Sequence, residues 1–73
     1  MKQTNTLLNF GARIKKLRAE KGCSQENMAA IIGLDRTYYA AVENGKRNIS
    51  LNNICKIAKG FKLSLSELFN EVR

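Results

Sequence analysis

The residues with the clearest capacity for chemistry form a short run that begins with an arginine and a threonine. At 100° per residue, a helix starting at Arg36 places Thr37, Ala40, Ala41 and Asn44 on the same face as that arginine. The guanidinium of Arg36 can donate two hydrogen bonds to O6 and N7 of guanine, and the Thr37 hydroxyl can bond a base or a phosphate. The two alanines keep the middle of the face shallow, and their methyl groups suit contact with a thymine methyl. The run therefore predicts a face that reads base edges in duplex DNA.

Other residues of this helix have more than one interpretation. Arg36 is alternatively a solvated charge or a partner for Asp35. Tyr38 lies at the boundary of the face, so it either contacts DNA or packs half-buried against the body of the protein. Tyr39 and Val42 point the other way, and we expect them in the core.

The stretch 24–45 contains the elements that must position this face. Ser24 and Asp35 are good N-caps, because their side-chain oxygens can accept hydrogen bonds from first-turn amides. Gly33 lies between the two helices, where a left-handed residue is wanted and glycine has no steric cost. Gly45 ends the second helix. Two short helices joined by a glycine-containing turn predict a helix-turn-helix unit, whose second helix enters the major groove.

The same start signal occurs four times: an apolar residue, a capping residue, and another apolar residue four positions after the cap. The caps are Ser24, Asp35, Ser50 and Ser64. Ser64 with Glu67 completes a capping box. With a first helix over about 7–21, these starts predict an all-α, compact five-helix domain that spans residues 1–73, with residues 1–6 frayed. No stretch alternates with period two, so we expect no sheet.

The fourth and fifth helices carry apolar stripes that we expect to face the core. The stripes are Leu51, Ile54, Ala58 and Phe61 on the fourth helix and Leu65, Leu68, Phe69 and Val72 on the fifth. A chain of 73 residues is too short to cover the fifth helix completely. We therefore predict that Leu65, Phe69 and nearby residues of the fourth helix form an isologous homodimer interface. The alternative is that they only close the core of the monomer.

The charge balance indicates a polyanionic partner. Thirteen Lys and Arg against six Asp and Glu, with no His, give a net charge of +7. A protein of the membrane surface would concentrate its basic residues on one long amphipathic helix, whereas here they are scattered over several short helices, which favours nucleic acid. No apolar stretch approaches the ~20 residues that span a bilayer. The N-terminus lacks a signal-peptide pattern, so we expect a cytoplasmic protein without membrane contact.

The residue types needed for catalysis are scarce. Cys23 and Cys55 are too few for a disulfide framework or a four-ligand zinc site, and no histidine can complete one. The carboxylates form no obvious pair, and neither cysteine has a visible base. We therefore expect no enzyme, no catalytic residues, no metal, no cofactor and no small-molecule ligand.

The helix-turn-helix stretch resembles the phage-repressor-like (Xre-type) family. The matching residues are Ser24-Gln25-Glu26, Ala29, Gly33-Leu34, Asp35-Arg36-Thr37-Tyr38 and Glu43-Asn44-Gly45. The run 34–61 is similar in particular to the controller proteins of restriction-modification systems. The resemblance covers about residues 10–70 and implies a DNA-binding fold.

The resemblance also implies roles for individual residues. Gln25 matches a residue that contacts a phosphate, and Arg47 matches a DNA-contacting position in controller-like proteins. Arg18 stands where phage repressors have the partner of Glu43, so we expect an ion pair that locks the recognition helix to the body. A carboxylate that faced DNA would repel phosphate, which agrees with an inward Glu43. Backbone contacts are also expected from the polar residues that follow the helix, namely Asn44, Lys46, Arg47 and Asn48.

These features together predict a transcriptional regulator that binds double-stranded DNA as a homodimer on an inverted repeat, similar to a restriction-modification controller. The alternative is an antitoxin or phage accessory protein that uses the same fold mainly for protein binding, with Tyr38 and Tyr39 as anchors. The sequence leaves open the operator, the regulated genes and the sign of regulation.

Overall fold

The computed structural model describes residues 5–73 and contains five α-helices and no strand within that range. The helices are α1 (Thr6–Lys21), α2 (Gln25–Ile32), α3 (Arg36–Glu43), α4 (Leu51–Phe61) and α5 (Leu65–Leu68). The predicted all-α, five-helix fold is confirmed. The prediction of fraying over 1–6 falls mostly on residues 1–4, which lie outside the described residues, and Thr6 is already helical. None of the helices in the described part of the chain has the length and apolar character to cross a bilayer.

Side-chain caps begin each of the last four helices at the predicted residues. The hydroxyls of Ser24, Ser50 and Ser64 each accept a hydrogen bond from the backbone amide three residues later. Asp35 caps α3, and Glu67 completes the capping box of α5. Each such cap contributes about 1 kcal/mol to stability, and together they set where every helix after α1 enters the fold.

The core forms where α1, α2, α3 and α4 meet, and α5 contributes one residue to it. Its buried apolar residues are Phe10, Ile14, Met28, Ala29, Ile32, Tyr39, Val42, Ile57, Ala58 and Leu68. Tyr39 and Val42 point inward as predicted, with exposed fractions of 0% and 1%. Between α2 and α3, Gly33 adopts a left-handed φ of 88°, which lets the chain turn sharply enough for both helices to reach this core.

A glycine inside α1 allows that helix to touch the backbone of α3. A Cβ atom placed on Gly11 would lie 2.6 Å from the carbonyl oxygen of Val42 and closer still to that of Glu43. Glycine within a helix costs up to ~1 kcal/mol relative to alanine. Here the absence of a side chain at Gly11 allows the C-terminal end of α3 to lie directly against α1.

The fifth helix is shorter than its apolar stripe predicts. The stripe extends to Val72, whereas the helix ends at Leu68. Nε and Nη2 of Arg13 donate to the carbonyl oxygens of Leu68 and Glu67 at 3.1 and 2.7 Å, which satisfies carbonyl oxygens at the end of the helix that have no α-helical partner. Glu71 has a φ of +66°, which also ends helical geometry. The expectation that Phe69 continues a helical stripe is therefore wrong, although its side chain still packs against the core.

Candidate nucleic-acid interface

The first turn of α3 presents its two polar side chains to solvent. Arg36 and Thr37 are both exposed. Oδ2 of Asp35 accepts the backbone amides of Thr37 and Tyr38 at 3.0 and 3.2 Å, so this carboxylate serves the helix N-terminus. The single ion pair within residues 5–73 lies elsewhere, so Asp35 does not pair with Arg36. The guanidinium is left available for an external partner.

Behind this turn, the outer face of α3 is shallow. Ala40 and Ala41 are half-buried, and Asn44 at the C-terminal end is exposed. A helix with only methyl groups at its centre can lie close to the floor of a groove. The geometry thus has the form that the sequence predicts, and base contact by these residues stays a prediction.

Tyr38 combines the two interpretations that the sequence leaves open. Its ring is half-buried under the guanidinium of Arg47, which lies 4.9 Å from the ring centroid, a cation–π distance. Its hydroxyl accepts a hydrogen bond from Nδ2 of Asn53 at 3.1 Å and keeps its own hydrogen to donate. Sequence reasoning missed Asn53, because nothing local indicates that the third residue of α4 reaches α3.

A cationic rim follows the recognition helix. Lys46, Arg47 and Asn48 are all exposed in the segment between α3 and α4. The backbone amide of Lys46 donates to the carbonyl oxygen of Ala41 at 2.9 Å, which ties the start of this segment to the helix. Two positive charges therefore lie beside the exposed face of α3, where a DNA backbone would run.

Behind the recognition helix, Glu43 and Arg18 meet in a two-pronged contact. Nε of Arg18 lies 2.6 Å from Oε2 of Glu43, and Nη2 lies 3.1 Å from Oε1. The Glu43 side chain is 0% exposed and the Arg18 side chain 15%. The third guanidinium nitrogen, Nη1, donates to the carbonyl oxygen of Cys23 at 2.9 Å. This pair connects α1, the start of the helix-turn-helix unit and the last residue of α3.

Gln25, expected to contact a phosphate, also takes part in this network. Its Nε2 donates to Oε1 of Glu43 at 2.9 Å, and the residue is half-buried. The sequence does not indicate this bond, because the two residues are 18 positions apart. The phosphate contact stays a prediction.

The buried network shifts three pKa values, and the hydrogen bond to Glu43 raises that of Arg18. Burial by itself opposes ionisation of Glu43, but hydrogen bonds from Arg18 and Gln25 hold its pKa below the usual 4.5. Burial raises the pKa of Tyr39, and the neighbouring carboxylate adds to that rise. Among residues 5–73, no group meets the buried Tyr39 hydroxyl with good hydrogen-bond geometry. Tyr39 therefore cannot act as the protein-binding anchor that the alternative function assigned to it.

The predicted dimer residues lie at the opposite end of the chain. Leu65 is 42% exposed, whereas Phe69 stacks on Phe10 with ring centroids 5.1 Å apart and so also serves the monomer core.

Leu51 is 68% exposed, which corrects its assignment to the core. The buried residues of α4 are Ile57 and Ala58, with Ile54 and Phe61 partly buried beside them, so the first residue lies on the flank. We call the exposed apolar residues Leu51, Cys55 and Leu65 of the last two helices the α4–α5 face.

Comparison with known proteins gives matches over nearly the whole chain. A family model described as helix-turn-helix matches residues 14–68. The control protein C.MunI of a Mycoplasma species is 56% identical over 66 residues, which cover 89% of this chain and 89% of that protein. The solved structure of the restriction-modification controller protein C.AhdI from Aeromonas hydrophila has a TM-score of 0.83 at 49% identity, with 86% of this chain and 96% of that chain covered. The controller protein C.Esp1396I, solved as a tetramer with its natural 35 base-pair operator, has a TM-score of 0.85 at 34% identity, with coverage of 96% and 92%.

Proposed function

Since this chain belongs to the helix-turn-helix family and is similar to controller proteins over most of its length, we propose that it is a sequence-specific, DNA-binding regulator of transcription. The observation that carries this proposal is the exposed first turn of α3. Arg36 and Thr37 face solvent there, while Tyr39 and Val42 fasten the same helix to the core. A rigidly held helix with a cationic tip is the form that enters a major groove.

The side chains divide into two roles. Arg36 and Thr37 read base edges, with the two alanines admitting the helix to the groove floor. Asn44, Lys46, Arg47, Asn48 and Gln25 hold the DNA backbone, and Tyr38 supports Arg47 while its hydroxyl donates to DNA. Backbone contacts set register and affinity, whereas base contacts set sequence preference.

The functional unit is a homodimer on an inverted repeat. A two-fold dimer would place two copies of α3 in successive major grooves, about 34 Å apart. The exposed α4–α5 face supports this assembly, and the related C.Esp1396I occupies its operator as a tetramer. Each phosphate neutralised by a lysine or arginine releases counterions, so affinity falls steeply with salt.

The narrower assignment is a restriction-modification controller protein, acting in the cytoplasm without catalysis. The identity to C.MunI and the likeness to C.AhdI support it. Such a protein regulates by occupying its operator, so its dose and its dimerisation set the response. A methyltransferase or endonuclease gene beside its own gene would support the assignment, and a toxin gene there would contradict it.

Selection of bound duplexes from a random pool tests the proposal directly. We expect one inverted repeat to be enriched. Arg36→Ala should then lose discrimination at one base position in each half-site, by a factor that corresponds to about 1–3 kcal/mol. Lys46→Ala should weaken binding to all duplexes alike and reduce the salt dependence by about one phosphate contact.

Lys15→Ala is the matched control, because Lys15 is an exposed lysine of α1, outside the surface assigned to DNA. Lys15→Ala should leave the preferred sequence unchanged. It should also reduce the salt dependence of binding by less than Lys46→Ala does. Equal losses on selected and random DNA for Arg36→Ala would contradict its role as a base reader. Enrichment of no sequence by the wild-type protein would contradict the function itself.

A further inference from the structure

The last residue of α3 lies against the first residue of α2 through a buried carboxylate. The Glu43 side chain is completely buried, and its Oε1 accepts Nε2 of Gln25 at 2.9 Å. The remaining oxygen, Oε2, accepts Nε of Arg18. The carboxylate therefore joins the reading helix to the helix that begins the helix-turn-helix unit.

This contact determines which way the Gln25 amide faces. An ionised carboxylate can only accept hydrogen bonds, so it must meet the nitrogen of the amide and not its oxygen. The amide nitrogen carries two hydrogens. One is used by Glu43, and because the amide is planar, the direction of the second is set as well.

Gln25 is the first residue of α2, so its side chain starts at the N-terminal end of that helix. The amide of Asn27 is bonded to the Ser24 hydroxyl and the amide of Met28 to the Ser24 carbonyl oxygen, so the backbone amides of Gln25 and Glu26 are those left without a helical partner. Free amides at a helix N-terminus favour a negatively charged acceptor. A second N–H on the side chain of this first residue would extend that donor set.

We propose that Glu43 is a positioning residue that orients the Gln25 amide so that its second N–H donates to a DNA phosphate. This inference rests on the proposed DNA-binding function. Glu43 would then have a second role besides its pairing with Arg18. It would fix the position of the phosphate-binding amide of α2 relative to the base-reading first turn of α3. Without Glu43, the amide is free to present its oxygen, which repels a phosphate.

The wild-type protein allows a direct test by NMR, with no risk of unfolding. In the free protein, one of the two Gln25 side-chain amide protons should be protected from exchange and the other exposed. Addition of the selected duplex should shift and protect the second proton while the first is unchanged. Two equivalent protons in the free protein, or no response of either to DNA, would overturn the proposal.

A double-mutant cycle with a modified phosphate separates positioning from a general structural role. Gln25→Ala should weaken binding to the selected duplex about tenfold, and Glu43→Gln should weaken it by a smaller factor in the Gln25→Ala background than in the wild type, because only its effect through Arg18 then remains. One neutral methylphosphonate at the contacted position should weaken the wild type and leave both variants unaffected. If the two losses multiply, or if no methylphosphonate position abolishes the effect of Glu43→Gln, Glu43 does not position Gln25.

A control variant and the wild-type selection together distinguish failure of the proposed DNA-binding function from failure of the positioning role of Glu43. Glu20→Gln, an exposed carboxylate of α1, should bind DNA as the wild type does. A wild type that selects no duplex would refute the proposed function. A wild type that selects a duplex but shows multiplying losses would refute only the positioning role.

Discussion

The two ends of this protein hold their helices in place by opposite means. At the α2–α3 end, a fully buried carboxylate accepts hydrogen bonds from Arg18 and Gln25, and the backbone of α1 touches that of α3 at Gly11. At the α4–α5 end, a helix of four residues is held by Arg13 and by packing, and apolar side chains remain exposed. The first end is fixed by buried polar contacts, whereas the second exposes Leu51 and Leu65, where we propose that another copy binds.

This difference separates two requirements of the proposed function. Reading bases needs a helix whose angle does not vary, and buried polar networks fix geometry even where their net stabilisation is small. Association needs apolar surface that is exposed before the partner arrives. The comparison predicts that substitutions at the first end change folding, while those at the second change assembly.

The largest effect is expected at the buried pair. Glu43→Ala should lower the free energy of unfolding by about 3–5 kcal/mol, because the Arg18 guanidinium loses its partner in a site that is largely closed to water. Urea unfolding followed by circular dichroism measures this. Glu20→Ala, an exposed glutamate on α1, is the control and should stay within about 0.5 kcal/mol of the wild type. Equal midpoints for the two variants would show that the pair does not hold α3.

The two helical glycines give a comparison of close contacts. Gly11→Ala should destabilise by about 1–3 kcal/mol, the opposite sign to the usual gain in a helix, because the new methyl meets carbonyl oxygens of α3 that cannot move aside. Gly60→Ala should cost less, since its new methyl meets the side chain of Ile32, which can shift. Thermal denaturation of both variants checks the order. The reverse order would mean that α1 and α3 can separate easily.

A substitution in the α4–α5 face is expected to have a smaller effect, which changes dimerisation and not folding. Leu65→Ser should leave the monomer folded, because Leu65 is already 42% exposed, and weaken dimerisation by about tenfold or more. Sedimentation equilibrium measures the change. Ile31→Ser is the matched control, because Ile31 is 54% exposed on α2. If the wild type is a monomer at tens of micromolar, the dimer assignment fails.

The smallest effect on stability is expected from acidification. It compares a buried carboxylate at the α2–α3 end, Glu43, with an exposed one at the α4–α5 end, Glu67. The folded protein holds the pKa of Glu43 below the usual 4.5, so the unfolded chain binds a proton first as pH falls. The stability that Glu43 contributes is therefore complete above about pH 4.5 and is lost as pH falls through the lower, folded pKa. Glu43→Gln should have a flatter stability curve in this range.

The exposed capping box provides the control for the acid experiment. The pKa of Glu67 is also lowered, by hydrogen bonds with Ser64, but this carboxylate lies on the surface. Glu67→Gln should retain most of the wild-type slope. If it flattened the curve more than Glu43→Gln, the buried network would not dominate acid stability.

The predicted parts of the fold are those with local causes. Ser24, Asp35, Ser50 and Ser64 begin helices because each bonds amides within three residues of itself, and that relation is visible in the sequence. The inward direction of Tyr39 follows from helical spacing alone. The predicted family membership is confirmed, since a helix-turn-helix model matches residues 14–68.

The parts that the sequence does not predict depend on distant contacts. The contact that holds the end of α5 depends on Arg13, which is 54 and 55 residues away from the carbonyl oxygens that it bonds. The bond between Gln25 and Glu43 likewise depends on how α2 packs on α3. A periodic stripe describes which residues are apolar, but it does not show where tertiary hydrogen bonds replace helical ones.

The exposed first turn of α3 also has a consequence for evolution. Arg36 and Thr37 take no part in the core, so replacing either one carries little folding penalty. If these two residues read bases as proposed, new target sequences are within reach of single codon changes on an unaltered scaffold. Lineages that carry this scaffold could then diverge in the DNA they recognise while inheriting the same stable body.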